Sequence, residues 1–350
     1  MSMTRREFTR LTLAGAPAIG ALWRDTGVMA ATQAATKPAA RGITIGLNVP
    51  YSLGLGNNIA AGDLLARLVD LGVGSVELRV QPVEHFLGSP DVRAAADAAK
   101  KAEASRASGQ FVPTPQQMAQ GGRGPGRQQT PEQVEAARVR AQAVRTWRLS
   151  SPTSKLKELR QMYVKAGVSI DVLKVDDVYV VSAEELDYFF QMARDLGARA
   201  ISAELPQARP DTRRIGAFAD KHKVFMAYHH HAQGTVALYE EIFGEARYNG
   251  ANIDIGHWTA THNESPLPFI TRHAERIPHI HVKDRQFGTN GGQNQPFGQG
   301  NTPIREVLQA IRDNKWDIVP VVEFEYKVPD GSTREAEIRK SLDYCRQTLA

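Results

Sequence analysis

Short apolar runs alternate with amphipathic segments along most of the chain. Eight runs rich in β-branched residues end in polar residues: ITIGLNV, SVELRV, VSIDVLKV, ARAISAEL, KVFMAYHHH, GANIDIGHW, IPHIHVKD and DIVPVVEFE. Helical periodicity marks segments between them, such as AAGDLLARLVDLG, SAEELDYFFQMARDLG and TRRIGAFADKH. Strands that alternate with helices predict βαβ units and a parallel sheet. No Gly-x-Gly-x-x-Gly follows the first strand, so the pattern favours an α/β fold closed as a (β/α)8 TIM barrel over an open dinucleotide-binding sheet.

Two segments depart from this rhythm. The segment of about residues 104–148 begins with a stretch rich in Gly, Pro and Gln and continues as a predicted helix through Trp147. This composition indicates a solvated insertion after the second strand. A lid over the site is the less favoured interpretation of this insertion. Residues 1–40 begin with Arg5 and Arg6 and a short run rich in Ala and Gly, too short to cross a membrane, which takes roughly 20 apolar residues.

The N-terminal pattern resembles a twin-arginine export signal, with a basic amphipathic segment as the alternative. It predicts export to the periplasm and no stable membrane insertion. Residues 41–350 are then predicted to form a single catalytic barrel domain. Because the chain has 350 residues of which 42% are hydrophobic, such a barrel can bury a large core.

Charge and cysteine content exclude several classes of protein. The net charge is +5, but residues 1–40 carry a surplus of three positive charges and residues 100–148 a surplus of six, which leaves −4 on the rest. A basic nucleic-acid surface on the main body is therefore not expected. The single cysteine, Cys345, excludes an intramolecular disulfide and a thiolate metal site. The composition is compatible with a homo-oligomer.

Metal-competent side chains gather at the ends of five successive predicted strands. They are Glu204, His229 with His231, Asp254 with His257, His281, and Glu323 with Glu325. In a parallel barrel, the carboxyl ends of the strands carry the catalytic groups. Side chains alternate along a strand, so His229 and His231 share a face and His230 opposes them. Carboxylates with imidazoles favour one divalent ion, Mn²⁺ first, with Mg²⁺, Co²⁺ and Zn²⁺ as alternatives.

Each of these groups also has a purely structural interpretation. Asp254 could cap a helix beside a surface His257. Glu204 could pair with a nearby arginine such as Arg209. The three histidines could be core residues satisfied by backbone, and Lys283 with Asp284 could be a solvated pair.

The segments DIGH, HIHVKD, GQGNTPI and VVEFE, in this order, resemble the sugar phosphate isomerase/epimerase superfamily with its xylose-isomerase-like barrel. YHHHAQGT looks like the inosose dehydratase branch, and the whole also resembles exported lyases and hydrolases that act on 3-keto-glycosides. The resemblance implies a divalent metal held by Glu, Asp, His and Glu, matched here by Asp254, His281 and Glu323. Histidines replace the fifth-strand Glu, so Glu204, or else His231, is predicted as the fourth ligand.

The predicted chemistry is removal of a proton next to the carbonyl of a keto-sugar or 3-keto-glycoside. His229 is the expected base, His231 is expected to coordinate the metal or orient the substrate, and Lys174 is a hydrogen-bonding or acid group. The predicted catalytic set also includes His257, and the predicted substrate-binding residues are Glu77, Lys283 and Glu325. Elimination by a lyase or dehydratase is favoured, and isomerisation or epimerisation is the alternative.

Two other classes of protein stay open. A non-catalytic sugar-binding barrel would use the same strand ends without turnover. A related barrel that cleaves DNA at abasic sites would need more ligands and a basic face, so a small carbohydrate rather than nucleic acid is the expected partner. The FGQGNTP segment keeps a phosphate site open.

Overall fold

The predicted strands close into a parallel barrel of eight strands, which confirms the fold class. The computed structural model describes residues 42–107, 130–205 and 211–350. In chain order the barrel strands are β1 (Gly46–Val49), β2 (Ser75–Arg79), β3 (Ser169–Lys174), β4 (Ala200–Glu204), β5 (Phe225–His229), β6 (Asn249–Asp254), β7 (His279–Val282) and β10 (Val319–Val322). They pair in the order β1-β10-β7-β6-β5-β4-β3-β2. A short hairpin, β8 (Asp284–Arg285) with β9 (Asn294–Gln295), follows β7.

Helices cover the outside of the barrel. Those described are α1 (Ala61–Asp70), α2 (Val80–Leu87), α3 (Pro90–Ala107), α4 (Pro131–Ser150), α5 (Leu156–Lys165), α6 (Ala183–Leu196), α7 (Thr212–His222), α8 (Val236–Glu245), α9 (Ile255–His262), α10 (Leu267–His273), α11 (Ile304–Asn314) and α12 (Arg334–Leu349). The capping box between Ser182 and Glu185 begins α6, whose Leu186, Phe189 and Phe190 are buried. The helix periodicity thus provides the apolar layer on which the strands pack.

Apolar and ionisable side chains both line the barrel interior. Val172, Ala200 and Ala227 pack together in a small apolar cluster. Toward the carboxyl ends, parallel pairing sets Glu204 beside His229 and Asp254 beside His281. The alternation of strand side chains therefore brings ionisable groups from neighbouring strands to one level of the barrel.

The sixth predicted strand was too long at its carboxyl end. The run GANIDIGHW turns into α9 at Ile255, because Asp254 Oδ1 accepts a hydrogen bond of 2.7 Å from the backbone N–H of His257 and so caps the helix. Asp254 is therefore both the last residue of β6 and the N-cap of α9.

Between β2 and β3 the described chain carries α2, α3, α4 and α5. Residues 108–129, the central part of the predicted insertion, lie outside the described residues, as do residues 1–41 with the predicted export signal and residues 206–210 with Arg209. Within the described ranges, none of the helices combines the length and the apolar character needed to cross a membrane.

Candidate metal centre and active site

Four buried side chains meet at the mouth of the barrel. His229, Asp254, His281 and Glu323 each offer one ligand atom, and these atoms lie within 4.8 Å of one another. They stand at the carboxyl ends of four adjacent strands, β5, β6, β7 and β10. Two imidazoles and two carboxylates in such proximity are a donor set that suits a divalent metal ion.

Each imidazole of this cluster has a further carboxylate on its other nitrogen. His229 Nδ1 donates to Glu204 Oε2 at 2.8 Å, while its Nε2 lies 3.5 Å from Asp254 Oδ2. His281 Nε2 is hydrogen-bonded to Glu77, while its Nδ1 lies 3.3 Å from Glu323 Oε2. Carboxylates in this outer position fix the tautomer and orientation of metal-binding histidines. The residues present therefore fit the divalent ion that the sequence predicts.

Charges in the cluster are strongly coupled. Burial alone would lower the pKa of His281, but the carboxylates of Glu77 and Glu323 raise it to about 10. Burial would raise the pKa of Asp254, but the ammonium of Lys283 and neighbouring imidazoles hold it well below its usual range. Without a metal, His281 is thus protonated at neutral pH, so metal binding must displace that proton.

Lys283 contacts the same carboxylates as the candidate metal. Its Nζ lies 2.6 Å from Glu323 Oε2, 3.1 Å from Asp254 Oδ2 and 2.6 Å from Glu325 Oε2. Burial would lower the pKa of Lys283, but these three carboxylates raise it above its usual value, so the ammonium stays charged. Lys283 is therefore positioned to compete with a metal cation for Asp254 and Glu323.

Replacing Lys283 by glutamine is expected to tighten Mn²⁺ binding by about tenfold or more, because like charges held against shared carboxylates repel by several kcal/mol. Competition with a chromophoric chelator measures this affinity. Lys221→Gln, on the exposed ion pair with Asp187, is the matched control and should leave it unchanged. Unchanged or weaker Mn²⁺ binding in Lys283→Gln would show that the ammonium does not oppose the metal.

A second group of polar residues lies on the solvent side of His229. Glu204 accepts hydrogen bonds from Lys174 Nζ at 2.5 Å and from His231 Nε2 at 3.0 Å. The side chain of His231 is 51% exposed, whereas that of Lys174 is 2% exposed. Burial would lower the pKa of Lys174, but Glu204 and Glu77 raise it. A substrate in the mouth can thus reach an imidazole whose partner carboxylate is fixed by an ammonium.

His230 points away from this site, as strand alternation predicts. Its ring lies 6.0 Å from that of Tyr239 and 5.8 Å from that of Trp258, in the layer between strands and helices. Its Nδ1 donates to the carbonyl of His231 at 2.8 Å. Burial lowers the pKa of His230 to about 4, so the ring is neutral. Gly234 is required beside it, because a Cβ there would lie 2.5 Å from the ring.

His257 forms part of the wall beside His231, with ring centroids 4.4 Å apart. Arg285 NH1 donates to its Nδ1 at 2.5 Å, and the Nζ of Lys283 lies 3.2 Å from its Nε2. Burial, with nearby Lys283, lowers the pKa of His257 to about 2. Such a neutral ring is a weak base, so its position favours hydrogen bonding over the catalytic role predicted for it.

Arg285 was not predicted from the sequence. It follows Asp284 in the hairpin, and its Nε and NH2 donate to the carbonyl of Gly292 at 2.9 and 2.5 Å. No alternation or strand-end rule marks a residue in a two-residue hairpin strand, so the sequence offered no signal for it.

His229, predicted as the base, stands in the four-residue cluster, whereas Glu204, predicted as a ligand, lies outside it and accepts a hydrogen bond from Nδ1 of His229. Glu204 also forms a separate possible metal-holding group with His229 and His231. Glu77 has no exposed surface and lies against His281, so it is placed to orient a ligand rather than to bind substrate. Glu325 does reach the mouth, where Tyr51 donates to it at 2.7 Å.

The glycines of the FGQGNTP segment face a carboxylate of the chain itself. Asp284 accepts hydrogen bonds from the backbone N–H groups of Gly298 at 2.7 Å, Gly300 at 3.0 Å and Thr302 at 3.2 Å. A Cβ on Gly300 would lie 2.2 Å from Asp284 Oδ1, so the loop needs glycine to approach so closely. These donors are therefore occupied, which argues against the phosphate site that the sequence left open. Asp284 is a buried residue of the loop anchor, not half of a solvated pair with Lys283.

Asp284→Asn is expected to destabilise the protein by about 2–3 kcal/mol, since one amide oxygen cannot replace a carboxylate that accepts three charge-assisted hydrogen bonds. Urea unfolding measures the loss. Asp313→Asn, on the exposed end of α11, is the comparison. Equal stability of the two variants would contradict the anchoring role.

Comparisons with known proteins agree with this fold. The family model described as xylose isomerase-like TIM barrel matches residues 141–348. A xylose isomerase domain protein from Alicyclobacillus acidocaldarius superposes with a TM-score of 0.56 at 14% identity, covering 88% of this chain and 99% of its own. D-Psicose 3-epimerase from Clostridium cellulolyticum H10 superposes with a TM-score of 0.55 at 10% identity, with the same two coverages of 88% and 99%. No curated protein matches the sequence.

The matched segment spans more than half of the chain and includes the strands β3 to β10, on which the four-residue cluster stands. The chain therefore belongs to the xylose isomerase-like TIM barrel family.

Proposed function

We propose that the protein is a divalent-metal-dependent enzyme that removes a proton next to the carbonyl of a keto-sugar or 3-keto-glycoside and thereby eliminates a β-substituent. The observation that carries the proposal is the pairing of two features at one barrel mouth. His229, Asp254, His281 and Glu323 would hold the metal. The Lys174–Glu204–His231 group lies directly beside it on the solvent side.

When bound, a divalent ion would polarise the carbonyl and neutralise the negative charge that develops as the proton leaves. His231 is the proposed base, since it is the exposed imidazole of the site and Glu204 orients it. The charged ammonium of Lys174 keeps Glu204 ionised, and Glu204 in turn stabilises the imidazolium that His231 becomes when it takes the proton. Glu325 and Lys283, at the opposite wall, bind sugar hydroxyl groups.

On a 3-keto-glycoside the proposed reaction is an elimination across C1 and C2. The base takes the proton from C2, the C–H electrons form the C1=C2 double bond, and the glycosidic C1–O bond breaks. The departing oxygen takes up a proton, so the products are a 2-hydroxy-enone and a free alcohol. Return of the proton to another atom or face would instead give isomerisation or epimerisation, the alternative function.

Two features support elimination. The histidine-rich end of β5 resembles the dehydratase branch, and export through the predicted twin-arginine signal would bring the enzyme to glycosides outside the cytoplasm. Asp284 occupies the loop N–H groups that could have held a phosphate, which supports a substrate without one.

The test uses the full chain stripped of metal by a chelator and then supplied with Mn²⁺. A methyl 3-keto-glucoside is incubated in D2O, and NMR follows C2 deuteration and methanol release. Methanol release with formation of the 2-hydroxy-enone supports elimination, whether or not the recovered substrate carries deuterium at C2, and C2 deuteration without methanol release supports isomerisation or epimerisation. Binding of the sugar without deuteration, with Mn²⁺ at full occupancy, would overturn the proposed chemistry in favour of a sugar-binding barrel.

A further inference from the structure

A cavity opens beside the candidate metal centre, on the same face of the barrel. Its volume is about 450 Å³, which lies in the range of small-molecule sites. Loops at the carboxyl ends of the adjacent strands β1, β7 and β10 line it: Tyr51, Leu55, Asn294, Phe324, Glu325 and Arg334.

Glu325 joins this cavity to the metal centre. Its Oε2 accepts a hydrogen bond of 2.6 Å from Lys283 Nζ, and the same ammonium lies 2.6 Å from Glu323 Oε2. Its Oε1 accepts a hydrogen bond of 2.7 Å from the hydroxyl of Tyr51. A ligand whose reacting part lies at the centre can therefore extend past Glu325 into the cavity.

The lining combines an aromatic surface with polar groups and no net charge. Tyr51 is 42% exposed, although it is a large aromatic residue. Glu325 and Arg334 carry opposite charges, and Asn294 Nδ2 lies 3.4 Å from Glu325 Oε2 while its Oδ1 has no hydrogen-bond partner among the described residues. A purely apolar ligand would remove these polar groups from water without replacing their hydrogen bonds. A sugar ring offers C–H groups for the aromatic surface and hydroxyls for the polar one.

The cavity is also held in shape by the chain. Ser52 Oγ accepts from the backbone N–H of Phe324 at 3.1 Å, and Arg334 NH1 donates to the carbonyl of Ser52 at 3.1 Å. The guanidinium of Arg334 lies 5.0 Å from the ring centroid of Phe324. The loops after β1 and β10 are thus tied together, so a ligand would meet a largely preformed surface.

We propose that this cavity is a subsite for a second, neutral sugar ring, so that the substrate is a glycoside of at least two rings. The proposal rests on the proposed function for the ring bound at the metal centre. It adds Tyr51, Asn294 and Arg334 as residues that determine specificity for the second ring.

The test compares kcat/KM for C2 proton exchange on methyl 3-keto-glucoside with that on 3-keto-cellobiose and 3-keto-maltose. The wild type is expected to favour one of the two-ring substrates by about tenfold, the scale of one aromatic contact with its hydrogen bonds. Tyr51→Ala should lower that preference by about the same factor, mainly through KM. Tyr51→Phe keeps the ring and should retain most of the preference. Asn294→Ala replaces Tyr51→Ala if the latter fails to fold.

Equal kcat/KM for one-ring and two-ring substrates in the wild type, or a preference unchanged in Tyr51→Ala and Asn294→Ala, would overturn the subsite. If no keto-sugar exchanges its proton, the proposed function fails, and calorimetric binding of cellobiose, maltose and methyl glucoside to the Mn²⁺-supplied protein decides the subsite by itself. Tighter binding of a disaccharide that Tyr51→Ala weakens supports it, and absence of such a difference overturns it.

Discussion

Replacing Asp254 by serine is expected to weaken Mn²⁺ binding by more than about 100-fold, beyond the range typical of changes around the ligands. Asp254 contributes a carboxylate to the four-residue cluster through a side chain with no exposed surface. A serine hydroxyl neither carries the charge nor reaches as far. Metal content after dialysis and titration with a chromophoric chelator measure the loss.

Serine is chosen because Asp254 also caps α9, through the hydrogen bond from the backbone N–H of His257. Serine is about as good an N-cap as aspartate, whereas alanine costs about 1 kcal/mol. Asp254→Ser therefore separates the loss of a ligand from the loss of a cap, and any loss of stability in its metal-free form, measured by urea unfolding, should come from the missing ion pair with Lys283.

Glu77→Gln serves as the graded comparison, since Glu77 touches the cluster only through His281. Its Mn²⁺ affinity is expected to fall by about 10–100-fold, the usual effect of an outer carboxylate. Full Mn²⁺ occupancy in Asp254→Ser, or a larger loss in Glu77→Gln than in Asp254→Ser, would contradict the ligand set.

The barrel fold, and the position of the candidate site at the carboxyl ends of the strands, were predicted from the periodicity of apolar residues in the sequence. Each predicted apolar run overlaps one barrel strand, because β-branched runs between amphipathic helices bury both faces when they pair in a parallel sheet covered by those helices. Alternation also separated His230 from His229 and His231, since the repeat of two residues depends on backbone geometry alone.

The division of roles within the site did not follow from the sequence. Glu204 and His229 lie side by side on β4 and β5 and both face inward, so alternation treats them alike. Which of them reaches the centre depends on the width of the barrel and on Lys174, which holds Glu204 by its other oxygen. These are contacts between distant parts of the chain, and no local spacing contains them.

Asp254 shows a second limit of the same kind. The sequence posed a helix cap and a metal ligand as alternatives, whereas the two oxygens of one carboxylate serve both contacts. Oδ1 accepts from the backbone of α9, and Oδ2 faces His229 and Lys283. A sequence-based prediction that assigns one role to each residue therefore fails for Asp254, because one of its oxygens caps a helix and the other is a candidate metal ligand.

The three adjacent histidines should differ sharply when each is replaced by asparagine. His231→Asn is expected to lower C2 proton exchange by about 100-fold or more, the scale for loss of a general base. Its Mn²⁺ affinity should change little, because His231 lies outside the four-residue cluster. Mn²⁺ titration and deuterium incorporation, measured on the same preparation, separate the two effects.

His229→Asn should instead lose Mn²⁺ together with activity, since its Nε2 faces Asp254 while Glu204 holds its Nδ1. His230→Asn is the internal control, because its ring packs between Tyr239 and Trp258 behind the strand. It should cost about 1–3 kcal/mol of stability through lost packing and an altered buried hydrogen bond, while folded protein keeps both metal and exchange. Loss of exchange in His230→Asn with exchange retained in His231→Asn would place the residues after β5 one position out of register, because a shift of one residue moves every side chain to the other face.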